Sequence, residues 1–308
     1  MFEQRVVPAP ITWERVRKMF NDPVPPVTVW ERQFDYSDDA LHRIARTRYE
    51  DFDFNDLHYY YLDLAYVELQ PEVFNYLFPV CLMDWHESLM KNVGCTHGDS
   101  EFHLALHRGG ALNRLVTAER KEAIYEFFRD SFLIRLDTQQ KLSPDDESEM
   151  RYDDRWLLRF NSLGVTLPRI DLLWNPWWSC DTVGRSIAVL KFCSTLMYVD
   201  WLNILYLPRD GSIPKYNSVP PLWLNDSDIY DSGWLDENIQ FLRDTLSVDF
   251  IHDRLNVAAN CITEQDDLSL VERLVADWPG CRQLVERRLQ ELPRFLKSDK
   301  NGGLEWSN

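Results

Sequence analysis

Apolar side chains in this sequence recur at steps of three and four, and that period most constrains the fold. The clearest run is Val73, Phe74, Leu77, Phe78, Cys81, Leu82, Trp85 and Leu89. Such spacing gathers side chains on one side of an α-helix, whereas the period of two in a strand would scatter them over both faces. Gln70-Pro71-Glu72 opens this helix. Proline suits its first turn, and the carboxylate complements the positive end of the helix dipole. Pro79 lies inside the pattern and predicts a kink or a break.

The same period predicts helices over residues 13–20 (capped by Thr12), 40–47, 57–67 and 99–108, the last ended by Gly109-Gly110. Another starts at Thr117-Ala118-Glu119 and runs to Gln139. Further candidates are 156–163, 168–174, 182–201, 237–246 after Asp236, 248–262 capped by Ser247, 268–276 and 280–292. Residues 182–201 are apolar nearly all round, the mark of a central helix packed on several sides. Glycine, 11 of 308 residues, is about half its usual ~7% share, which also favours helices over a loop-rich β-sandwich. The sequence therefore predicts a mostly α, multi-helix globular fold of about a dozen helices with little strand.

Residues 206–235 break the pattern. Pro208, Pro214, Pro220, Pro221, Gly211 and Gly233 make them a long irregular loop that also holds Trp223 and Trp234. Residues 142–154 carry a turn signal and the acidic run Asp145-Asp146-Glu147. They divide the chain into a helical subdomain 1–141, an acidic linker 142–154 and a helical subdomain 155–308, an organisation that one continuous domain would also accommodate.

The six cysteines form no C-x-x-C pair and read as small buried hydrophobes of a reducing compartment. Residues 1–10 lack the apolar core of a secretory signal, and 186–207 contain Lys191 and Asp200, so that stretch reads as a buried helix and not a membrane span. The expectation is a cytoplasmic protein with no membrane partner.

The formal net charge is −17, and its distribution matters more than its total. Residues 51–100 hold nine acids against Lys91, a window of −8, and residues 201–250 hold eight acids against three bases, a window of −5. This argues against nucleic acid, whose phosphates need clustered Lys and Arg. Aromatic residues interleave both windows. Carboxylates that steer an encounter, with Tyr or Trp as anchors, suit a cationic protein partner. The candidate binding residues are Asp51, Asp53, Asp56, Tyr59 and Tyr60 in the first window. In the second they are Trp223, Asp226, Asp228, Tyr230, Asp231, Trp234 and Asp236. Tyr59, Tyr60 and Tyr61 cannot all point inward from one helix, so at least one is expected at a surface.

The best catalytic constellation is Asp99, His103 and His107, four residues apart and hence on one helical face. It is the basis of an alternative reading as a metal-dependent hydrolase. The zincin arrangement would place Glu after the first His, where Leu104 stands. Asp226, Asp228 and Glu237 fit three places of a calcium loop, but Asp231 occupies the place that needs Gly. No phosphate-binding glycine motif and no nucleophile elbow occurs. Trp174, Trp177 and Trp178 around Pro176 read as closing a core at a helix junction. No cofactor or metal is expected.

The phrase Gln70-Pro71-Glu72-Val73-Phe74-Asn75-Tyr76-Leu77-Phe78-Pro79 resembles Thr-Pro-Glu-Ala-Phe-Arg-Tyr-x-Leu-Pro of helical bacterial proteins, with departures that include Thr and Ala. It carries no catalytic residue. In composition the chain is similar to the acidic, Trp-containing immunity proteins that neutralise bacterial toxins. That likeness implies a non-catalytic inhibitor of a basic toxin effector that acts by occluding its active site.

Overall fold

The computed structural model describes residues 6–29, 35–66, 68–90, 110–142, 170–198, 203–206 and 236–296. Every regular element among them is helical, with no strand. In chain order they are α1 (Trp13–Met19), α2 (Asp35–Ile44), two 3-10 turns (Tyr49–Asp51 and Phe54–Asp56), α3 (Leu57–Tyr66), α4 (Pro71–Met90), α5 (Ala111–Arg114) and α6 (Ala118–Asp137). There follow α7 (Asp171–Trp178), α8 (Val183–Met197), a 3-10 turn (Ile204–Tyr206), α9 (Asp236–Thr245), α10 (Val248–Asn260) and α11 (Gln265–Leu296). The chain divides into two compact units, residues 8–131 and residues 1–7 with 132–308. The division falls within α6. Of the expected linker, residues 143–154 lie outside the described residues. Leu142 is buried, and its N–H donates to the buried Asp267 carboxylate at 2.9 Å.

In the unit 8–131, α4 is the apolar centre. Its predicted stripe is buried throughout, together with Tyr76 and Pro79. The helix runs through Pro79 without a break. Proline removes one N–H, and the burial of the residues on either side offsets that loss. Thr12 caps α1, its hydroxyl accepting from the Arg15 N–H at 3.2 Å. Phe20, just past α1, packs edge-on against Phe74 and Phe78, with ring centroids 6.4 and 5.8 Å away. Tyr49 stacks between Trp13 at 5.5 Å and Tyr76 at 4.8 Å and donates its hydroxyl to the Tyr76 carbonyl at 2.8 Å. Trp85 meets the edge of Phe128 at 4.8 Å.

In the unit containing 132–308, α10 and α11 pack on α8. Almost the whole of α8 is buried, as its uniform apolarity predicts. Phe192 of α8 points edge-on into the three buried tryptophans of α7, with centroids 6.1 Å from Trp174, 5.6 Å from Trp177 and 5.1 Å from Trp178. Each indole removes roughly 200 Å² from water, up to about 5 kcal/mol of hydrophobic stabilisation. This cluster is the helix-junction core that the sequence predicts. Cys180, at φ 58°, makes the left-handed turn between α7 and α8.

A buried ion pair joins α8 to the last turn of α6. Arg185, 1% exposed, donates from Nε and Nη2 to the two carboxylate oxygens of Asp137, at 2.9 and 3.0 Å. It also donates to the carbonyls of Pro176 (3.2 Å) and Val6 (2.9 Å). Gly184 beside it lies so close to α6 that a Cβ would stand 2.3 Å from the Leu136 carbonyl oxygen. Arg288 of α11 reaches the far end of α8 and donates to the carbonyls of Thr195 and Tyr198, satisfying carbonyls that the helix end leaves open.

Among the boundaries that differ from the sequence reading, the helix predicted at 168–174 is found at Asp171–Trp178, and the short helix Ala111–Arg114 has no counterpart. The helix predicted at 40–47 begins earlier, at Asp35. The helices predicted at 268–276 and 280–292 are one, α11, running through Pro279 and Gly280. Both residues disfavour a helix interior. Val271, Leu274, Trp278 and Val285 are nevertheless buried on both sides of them. His252 of α10 also stacks flat on Trp278 at 4.9 Å. Tertiary packing of the continuous stripe outweighs the local preference.

Candidate interaction surface

The first acidic window resolves into parts with different roles. Asp63 is buried and Asp84 half-buried, where its carboxylate accepts from the Tyr61 hydroxyl at 2.7 Å. Those acids belong to the core. Glu50, Asp51 and Asp53 are exposed on the two successive 3-10 turns before α3. Phe52 and Phe54, between and beside them, are half-buried.

Local chemistry holds this ridge in shape. Arg48, before the first turn, is extended, and the Asp51 N–H donates to the Arg48 carbonyl at 3.0 Å. Asp53 caps the second turn, its carboxylate accepting from the Asn55 N–H at 3.0 Å and the Asn55 side-chain amide at 2.9 Å. Asp is favoured at such a position because its short side chain satisfies a donor the turn leaves open. Asp56 is half-buried and pairs with Arg43 of α2 at 2.7 Å. That pair neutralises one carboxylate and leaves the other three facing water. Sequence separation gave no sign of it, since the partners stand 13 residues apart.

Tyr60 corrects the sequence reading, because it is 3% exposed and faces the core with Tyr61. Leu57, Tyr60, Tyr61 and Leu64 are all buried. They form the i, i+3, i+4, i+7 stripe of an amphipathic helix, wide enough to admit two adjacent tyrosines. Tyr59 lies on α3, and Asp236 is the first residue of α9. Trp223, Asp226, Asp228, Tyr230, Asp231 and Trp234 lie outside the described residues, as do Asp99, His103 and His107 of the hydrolase alternative.

Among the described residues, no group of three His, Cys, Asp or Glu side chains is placed to hold a metal ion. Burial raises the pKa of the Cys81, Cys193 and Cys281 thiols and pushes that of Cys180 up to about 12, so these sulfurs stay protonated at neutral pH. His86, half-buried with Nδ1 3.1 Å from the Ser131 hydroxyl, has its pKa lowered by burial. No described helix is long and apolar enough to cross a membrane. Comparison of the chain with protein-family models, curated proteins and solved structures finds no match.

Proposed function

We propose that this chain is a non-catalytic binding protein that engages a basic protein partner, a toxin effector whose active site it covers, in the manner of an immunity protein. The observation that carries this reading is the ridge of exposed Glu50, Asp51 and Asp53 with half-buried Phe52 and Phe54 on turns held by their own hydrogen bonds. Carboxylates held in place raise the encounter rate with a cationic surface, and aromatic edges beside them supply apolar contact once water leaves. A turn already shaped before binding loses little entropy on association.

The test mixes the purified chain with a basic toxin-type protein, first the product of the adjacent reading frame, and follows both association and the partner's activity. Association is expected to slow by about tenfold or more from low to high salt. The double variant Asp51→Lys/Asp53→Lys should slow it at low salt, and partner activity should fall in stoichiometric proportion to added chain. Rates that stay flat with salt and with the charge reversal would refute the acidic ridge as the contact.

A further inference from the structure

We propose that residues 23–27, Pro-Val-Pro-Pro-Val, are a docking strand for a second kind of partner: a protein module whose aromatic-lined groove reads polyproline-II helix. Proline fixes its own φ near −65°, and the residue before a proline is pushed to extended or polyproline-II geometry. Val24 precedes Pro25, and Pro25 precedes Pro26. The segment therefore has little conformational freedom to lose on binding.

Exposure along the segment follows the three-residue turn of that helix. Pro23 is half-buried and Pro26, three residues on, is buried. Val24 and Val27, also three apart, are 77% and 92% exposed. Pro25 on the remaining edge is exposed. One edge thus anchors the strand and two stand in water. The chain bends at Val27, which ends the segment. Outward Val24-Pro25 is the apolar residue–proline pair that fills a slot between aromatic rings in such grooves.

The strand leaves a fixed turn. Asn21 and Asp22 both adopt left-handed backbone, at φ 59° and 48°. The Asp22 N–H donates to the Arg17 carbonyl at 3.0 Å, while Arg17 donates from Nε and Nη2 to the Asp22 carboxylate at 3.1 and 3.0 Å. Charge separates this face from the acidic ridge. Around the strand Arg17 pairs with Asp22, Lys18 with Glu14 and Arg15 with Asp130, so the cations of residues 13–29 are compensated in a chain of −17. A groove with a neutral rim fits here, since no uncompensated charge stands beside the strand to recruit a strongly charged partner.

The test titrates purified SH3 and WW modules, which bind proline-rich strands, with the full chain and monitors the modules' amide resonances. Saturable perturbation of the aromatic groove is expected in at least one module. The double variant Val24→Ser/Val27→Ser should weaken binding at least about tenfold, and Val7→Ser, at another exposed valine, should leave it unchanged. Binding should vary less than about twofold between low and high salt. No binding by any module overturns the proposal, as does equal binding by the serine variant. Binding that Asp51→Lys/Asp53→Lys abolishes while the serine variant retains it would also overturn it, since the acidic ridge would then be the contact.

Discussion

Removing the Asp137 carboxylate should be among the most damaging single changes in the unit containing 132–308. Arg185 is 1% exposed, whereas the Asp137 side chain is 24% exposed. In Asp137→Ala the guanidinium stays buried with only the Pro176 and Val6 carbonyls near enough to accept from it at hydrogen-bonding distance, and its nearest remaining carboxylate, Asp181, lies 3.8 Å away. Breaking a buried pair from one side costs roughly 3–5 kcal/mol, and the partial exposure of Asp137 puts the expectation at the lower end, about 3 kcal/mol. The Thr182 hydroxyl, which donates to Asp137 at 2.6 Å while capping α8, would lose its acceptor as well. Arg185→Met should cost less, about 2 kcal/mol, because Asp137 can take up water and keeps Thr182 as a donor. The double variant should then be at least about 1.5 kcal/mol more stable than the sum of the two losses. Urea unfolding followed by tryptophan fluorescence reads this directly, since Trp174, Trp177 and Trp178 report on the same unit. With a urea slope of about 3 kcal/mol/M, the Asp137→Ala midpoint should fall by about 1 M. A loss under about 1 kcal/mol, or additive losses in the double variant, would show that the pair does not hold α6 to α8.

Further outcomes are expected. Gly184→Ala should cost about 2 kcal/mol or more, because its Cβ would meet backbone at 2.3 Å. Gly280→Ala should stabilise by about 0.5–1 kcal/mol, since nothing lies within 4 Å of its Cβ and alanine favours the helix. Thermal unfolding of both variants checks the contrast. Burial holds the folded-state pKa of His86 below the ordinary histidine value of about 6.5. Its contribution is fully present above about pH 6.5 and is lost as pH falls toward the lower folded value, because the unfolded chain then binds the proton more readily. Melting temperatures should therefore fall less on acidification in His86→Gln than in the parent, and parallel profiles would contradict the assignment. Ser247→Ala should cost about 1 kcal/mol by removing the hydroxyl that accepts from the Phe250 N–H at 3.1 Å, while Ser247→Gly should cost only a few tenths.

The sequence by itself determined that the chain is helical and where most helices begin. Thr12 and Ser247 cap their helices as their residue types require, and the period of the α4 and α8 stripes specifies which residues are buried. These are local signals: a cap acts within three residues, and a helical face is written in the spacing of a single segment. Net charge was equally legible, but the role of each acid was not. Asp63 goes inward, Asp56 pairs with an arginine of another helix, and Glu50, Asp51 and Asp53 face water. Tertiary structure alone made that division, because a carboxylate's surroundings come from segments distant in the chain. It also carried α11 through Pro279-Gly280 against local preference, and it turned Tyr60 into the core. At residues 23–27 the prolines determined a stiff strand, and only packing of the Pro23/Pro26 edge decided that its valines stand in solvent. In each case the local backbone sets what a segment can do, and contacts across the fold select which of its faces remains available for a partner.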